Sequence, residues 1–241
     1  MKRVLTTVAV TALAIRLARS RHQRFLHPDG RSFTGELIVA GQPGTGSALL
    51  ERPDRYPVTL RLSKGVGTRP GVGDLFGLAV RVHGPVCGHK CDLLFSTAGQ
   101  GRLNRHVPMP RRTFDTFYGS ILAYRTGTGR KLYLSARPDP DARPLGRTLE
   151  SVVTAAERDG ARLILSADDE PFGVVRFGTL LPAGTDAALA FDPVRHTRPD
   201  LHPTGLIHAS RAVAYRLSQR WRGARPAGAD PDAVVRTATH R

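Results

Sequence analysis

Four residues near the end of the chain, in the run SRAVAYRLSQRWR, have the types and spacing for metal chemistry. Arg211 and Tyr215 are four apart, and Ser218 and Arg222 follow at three and four. On a helix these side chains share one narrow stripe. An arginine one turn from a tyrosine favours the phenolate over the phenol. A phenolate is a strong ligand for ferric iron, so the stripe points to a haem protein. Seen alone, such a tyrosine also reads as a packed residue of an amphipathic helix, and the assignment depends on what else the chain carries.

Two further stretches carry chemistry. In RFLHPDGRSFTG, Arg24 precedes His27 by three residues, and Gly30 and Gly35 follow it at three and eight. A lone histidine here is a turn residue before a strand. In VTLRLSKGVGTRPGVGDLFGLAVRV the glycines suggest a phosphate loop, but no Gly-Lys-Ser/Thr follows. A hydrolase has no support either, since Gly-x-Ser-x-Gly and His-Glu-x-x-His are both absent.

The elements that must position these residues are mostly strands. SFTGELIVAG, YPVTLRLS, DLFGLAVRVHG, CDLLFSTAG, RKLYLSARP, ARLILSADD and FGVVRFGTLLP alternate in polarity between Gly/Pro turns. They predict an antiparallel sheet or barrel. TLESVVTAAERDG predicts a helix stopped by Gly160, and RRTFDTFYGSILAYR is read as helical. A last helix runs from Thr204 to Trp221 and carries the Arg211–Arg222 stripe. With no internal repeat or clear linker, residues 23–222 form one domain, of α+β class. A flexible tail spans 223–241. Residues 1–22 are a helix or a targeting-like segment: Val4, Val8, Ala12 and Ile15 share one side, but the basic start and apolar run also suit a signal sequence or anchor.

Composition narrows the partners. The chain has 36 Lys+Arg against 20 Asp+Glu, a formal net charge of +16. That balance suits nucleic acid, an anionic membrane surface or an anionic cofactor. The basic residues are scattered, and five Tyr and one Trp offer little for base stacking, so no specific nucleic acid is expected. Arginine also suits a buried carboxylate, which its fork binds bidentately. Two cysteines exclude a disulfide scaffold. HGPVCGHKC places His83, Cys87, His89 and Cys91 within nine residues. Zinc sites usually draw a second pair from farther away, so these read as loop residues of a hairpin, with a small metal site or a Cys87–Cys91 disulfide as alternatives.

Taken together, the segments resemble the haem catalases, in a minimal form that lacks the family's C-terminal helical domain. The His27 stretch resembles R-x-x-H-A-x-G-x-x-x-x-G. Arg61, Ser63, Gly67, Asp74, Gly77, Ala79 and Arg81 fall on V-R-F-S-T-V-x-G and D-x-R-G-F-A-x-K-F, with Arg81 in place of lysine. CDLLF resembles D-L-V. AFDPVRHTRP resembles A-F-N/D-P, and Arg211, Tyr215, Arg220 and Arg222 match R-L-F-x-Y-x-D-T-x-R-x-R, with Ser218 in place of threonine. The resemblance covers roughly residues 20–100 and 170–222.

This resemblance implies a catalase-like antiparallel β-barrel with flanking helices, binding haem b. Tyr215 would be the axial iron ligand, with Arg211 bonded to its phenolate. His27 would be the distal acid–base residue and Ser63 would fix its ring. Arg24, Arg61 and Arg222 would hold the propionates. The implied activity is reduction of hydrogen peroxide or organic hydroperoxides through a ferryl state, with a small organic electron donor. The family's asparagine after D-L-V-G is missing. Ser96 and Thr97 are the nearest positions, and Asn104 does not align. Peroxidase activity is therefore expected over catalase activity. The alternatives are a fatty-acid hydroperoxide enzyme on the same fold and a non-enzymatic basic protein binding nucleic acid or anionic lipid. A cytoplasmic homo-oligomer is expected, with membrane association or export through residues 1–22 as the alternative.

Overall fold

In a computed structural model of the chain, the residues described are 27, 29–69, 72–84, 89–193 and 195–204. Eight antiparallel strands close a barrel. They are β1 (Asp29–Val39), β2 (Asp54–Lys64), β3 (Phe76–His83), β4 (Lys90–Thr97), β5 (Tyr118–Gly119), β8 (Leu134–Pro138), β9 (Arg162–Ala167) and β10 (Glu170–Leu180). Their order around the wall is β1-β10-β9-β8-β5-β4-β3-β2. A small sheet of β6 (Tyr124–Thr126), β7 (Lys131–Leu132) and β11 (Leu201–Pro203) lies beside it.

The period-two pattern of the sequence explains which face is which. Phe33, Leu60, Val80 and Leu93 stand opposite one another across β1 to β4. All four are fully buried in the barrel interior. Each such side chain contributes about 1.5–3 kcal/mol by leaving water. The alternate positions, Ser32, Thr34, Thr59, Arg61, Ser63, Arg81, His83 and Asp92, face outward and are also buried. A buried polar outer face requires a cover that supplies hydrogen bonds. Part of that cover is α3 (Ala183–Ala188) and the segment after it.

A short α1 (Ala48–Glu51) links β1 to β2, and α2 (Leu149–Asp159) lies between β8 and β9. The α2 boundaries are those its sequence dictates. Thr148 and Ser151 form a reciprocal capping box, and Gly160 ends the helix at φ 67°. Leu149, Val152, Ala155 and Ala156 bury one side.

The stretch 111–125 corrects an expectation, for it contains no helix. Phe114 and Tyr118 imitate helical spacing, but the Tyr118 hydroxyl donates to the Phe114 carbonyl at 2.9 Å. Phe114 stacks on Phe76 at 4.2 Å between ring centroids. Ile121 takes a positive φ of 58°, which no helix accommodates. The segments expected at 1–22 and 223–241, and the helix expected beyond Thr204, lie outside the described residues. Among the described residues no helix is long and apolar enough to cross a membrane.

Candidate active site

The outer face of the barrel carries a row of small residues, one from each of four adjacent strands. Gly30 pairs with Ser63, Ser63 with Gly77, and Gly77 with Ser96. The row forms a shallow bed, and the side chains of His27 and Arg61 lie on it. A Cβ on Gly77 would stand 2.5 Å from the His27 Cε1 and 2.7 Å from its Nδ1. A Cβ on Gly30 would stand 2.5 Å from the Arg61 Cζ. Only glycine at both positions lets the imidazole and guanidinium come this close.

His27 is held by backbone and side chain. Its φ is 59°, a left-handed conformation that costs a non-glycine residue about 1–2 kcal/mol. Its N–H donates to the Gly65 carbonyl at 3.1 Å, and its carbonyl accepts from Arg61 Nη1 at 3.2 Å. The ring Nδ1 lies 3.1 Å from the Ser63 Oγ. Ser63 has a single hydroxyl proton, which it donates to the Gly77 carbonyl at 3.3 Å. With the serine proton on the Gly77 carbonyl, Nδ1–H donates to the serine oxygen and the lone pair is on Nε2. The ring is oriented as a base.

Arg61 is buried, with its Nε bonded to the Asp186 Oδ1 at 2.9 Å. The same oxygen accepts from the Ser32 hydroxyl at 2.5 Å. Buried Nη2 has no hydrogen-bond partner. A guanidinium N–H left in this way is costly, and it is suited to a carboxylate arriving from outside the barrel.

A second network ties the AFDPVRH segment to the same face. Arg81 grips Asp92 with two bonds, Nε to Oδ1 at 2.8 Å and Nη2 to Oδ2 at 2.9 Å. His196 Nδ1 lies 2.9 Å from Oδ2, and the Asp192 N–H donates to it at 2.7 Å. Arg81 also donates to the Ala190 carbonyl at 2.6 Å and lies over the Phe191 ring. Burial opposes the charge on Asp92, but Arg81 and His196 outweigh it and hold its pKa below the usual carboxylate value. After this anchor the described chain runs through β11 to Thr204.

The structure thus brings together His27, Ser63 and Arg61. Arg24, Arg211, Tyr215 and Arg222 lie outside the described residues. Asp186 is an addition that the sequence reading did not assign to the site, and Ser96, named there as one of the positions nearest the missing asparagine, joins the row beside Gly77. Asn104 is exposed and caps its own loop by accepting from the Gly101 N–H at 2.8 Å. Of the His83–Cys91 stretch, residues 85–88 lie outside the described residues; on either side of them the Gly84 N–H donates to the His89 carbonyl at 2.8 Å. His83 points outward to the Thr59 hydroxyl at 2.9 Å. Cys91 points into the core, where burial pushes its pKa up to about 12. Cys87 lies outside the described residues. Among the described residues, no three His, Cys, Asp or Glu side chains converge on a metal position.

Known structures share this arrangement of strands. A fungal catalase aligns with 87% of this chain and 61% of its own, at 13% identity and a TM-score of 0.60. A bacterial catalase aligns with 93% of this chain and 62% of its own, at 13% identity and a TM-score of 0.59. The barrel is catalase-like. This chain spans about three fifths of the length of each of those enzymes. No family model matches the sequence, and no curated protein matches it.

Proposed function

We propose that the chain is a minimal member of the haem catalase superfamily, acting as a peroxidase on hydrogen peroxide or organic hydroperoxides with a small organic electron donor. The observation that carries this reading is the His27–Ser63 pair seated over Gly77, beside a buried arginine with an unpartnered N–H. The catalase-like barrel is the scaffold on which the resemblance expects that pair.

The residues fit haem b. Arg61 Nη2 suits a propionate, with Asp186 holding the rest of the guanidinium in place. Arg24 and Arg222 would complete the propionate site, and Tyr215, supported by Arg211, would ligate the iron. The bound haem would supply the redox-active iron at which the peroxide O–O bond is cleaved. His27 Nε2 takes the proton of the incoming peroxide and returns it to the departing oxygen, acting as base and then acid. Ser63 keeps Nδ1 protonated, so the accepting atom is always Nε2. Ser96, opposite Gly77, offers a small hydroxyl where the family has an asparagine amide. It orients a second hydrogen peroxide less well, which favours peroxidase over catalase turnover.

Replacing His27 with alanine tests the reading. Haem content is expected to be kept and peroxide turnover to fall by about 10²–10⁴-fold. Unchanged turnover would remove His27 from the mechanism.

A further inference from the structure

The exposed large apolar side chains of the described residues are confined to two loops. Val66 and Val72 are 71% and 55% exposed, and Leu103 and Val107 are 96% and 50% exposed. The first pair lies between β2 and β3 and the second between β4 and β5, so antiparallel pairing brings both loops to one end of the barrel. They are laced together there. The Asp74 N–H donates to the Arg111 carbonyl at 2.9 Å, and the Arg111 N–H donates back at 2.8 Å. The loops are also stiffened from within. Asp74 accepts from the N–H groups of Val66 and Thr68, at 2.9 and 2.8 Å, and Val107 accepts from the Gly99 N–H.

The same loops hold unneutralised charge. Arg69, Arg102 and Arg112 are exposed, and Arg105 and Arg111 are half-buried. None of the five makes an ion pair among the described residues. The acids of these loops are Asp74 and Asp115; the Asp74 carboxylate is turned into its own loop, and that of Asp115 accepts from the Leu145 and Gly146 N–H groups. Elsewhere Arg55, Arg130, Arg162 and Arg198 pair with Glu36, Asp168, Asp139 and Asp200, whereas Arg52, Arg125, Arg137 and Arg176 make no ion pair among the described residues, so what marks these loops is that five such arginines accompany the exposed apolar side chains.

We propose that this end of the barrel docks on an anionic phospholipid bilayer. The aliphatic side chains enter the headgroup region and the arginines meet the phosphates, a combination in which apolar burial and charge attraction add. A second copy of the chain is disfavoured, because its arginines would face these. Nucleic acid is disfavoured, because the exposed side chains are aliphatic and cannot stack with bases. The docked surface adjoins the candidate site, since Gly65 of the first loop binds the His27 N–H. The inference does not depend on the haem reading.

Sedimentation of the full chain with vesicles tests it without any enzymatic readout. Vesicles of phosphatidylcholine alone are compared with vesicles containing phosphatidylglycerol. Binding is expected to the anionic vesicles and to fall with added salt. Arg102→Glu with Arg112→Glu should weaken it by at least about tenfold, since each basic residue near such a surface contributes roughly fivefold. Leu103→Asp, at a position too exposed to affect folding, should weaken it as well. A control pair, Arg137→Glu with Arg176→Glu, makes the same change in net charge on the outer faces of β8 and β10 and should lose much less. Absence of sedimentation with anionic vesicles would overturn the proposal. So would equal losses in the loop and control pairs, or wild-type binding by the loop variants, which would move binding to residues 1–22. Tight binding to duplex DNA without vesicle binding would also overturn it.

Discussion

At the scale of single residues, the site depends on what is missing as much as on what is present. Gly77 has no side chain, and the His27 imidazole occupies the space where one would be. Gly77→Val should leave the strand intact, because valine suits β structure. The ring itself must move, since a Cβ would lie 2.5 Å from it. We therefore expect near-wild-type thermal stability and a loss of peroxide turnover close to that of His27→Ala, read by steady-state kinetics. Normal turnover in Gly77→Val would mean that the observed seat of His27 is not its working position. The resemblance to the haem catalases picked out His27, Arg61 and Ser63, and it was legible because they stand at fixed offsets from glycines that the fold needs. Gly35 shows the same logic: a Cβ there would lie 2.3 Å from the Arg176 carbonyl oxygen. Asp186 was illegible for the opposite reason. It meets Arg61 across 125 positions of chain, and nothing local distinguishes it from other surface acids.

At the scale of elements, alternation revealed the long strands because both barrel faces obey a period of two. It could not reveal that the polar face is buried, since that depends on segments folding over it from far along the chain. Nor could it identify 111–125, where Phe114 and Tyr118 are spaced for a helix but are held by a hydroxyl bond and a ring stack. The clamp between β3, β4 and the segment after α3 rests on Asp92. Asp92→Asn removes the buried carboxylate that Arg81 grips with two bonds and should cost about 3–5 kcal/mol in unfolding free energy. The clamp also has a pH signature. The folded-state pKa values of Asp92 and Asp74 are both lowered, Asp74 because hydrogen bonds from Thr68, Val66 and Leu75 outweigh its burial. Their contribution is fully present above the unfolded carboxylate value of about 4 and is lost as pH falls through the folded values. Acid titration of wild type and Asp92→Asn, followed by circular dichroism, should show less acid sensitivity in the variant. Identical acid profiles would remove Asp92 from the acid response.

At the scale of the molecule, the barrel presents an imidazole, a serine hydroxyl and an arginine N–H without a hydrogen-bond partner on one outer wall. The proposed function requires a planar, carboxylate-bearing group to lie against that wall. That is the central claim, and the absorption spectrum of the purified protein after haem addition tests it most directly. The account predicts a ferric Soret band of the tyrosinate type that is altered or lost in Tyr215→Phe. A colourless protein that takes up no haem, or an unaltered band in Tyr215→Phe, would contradict it.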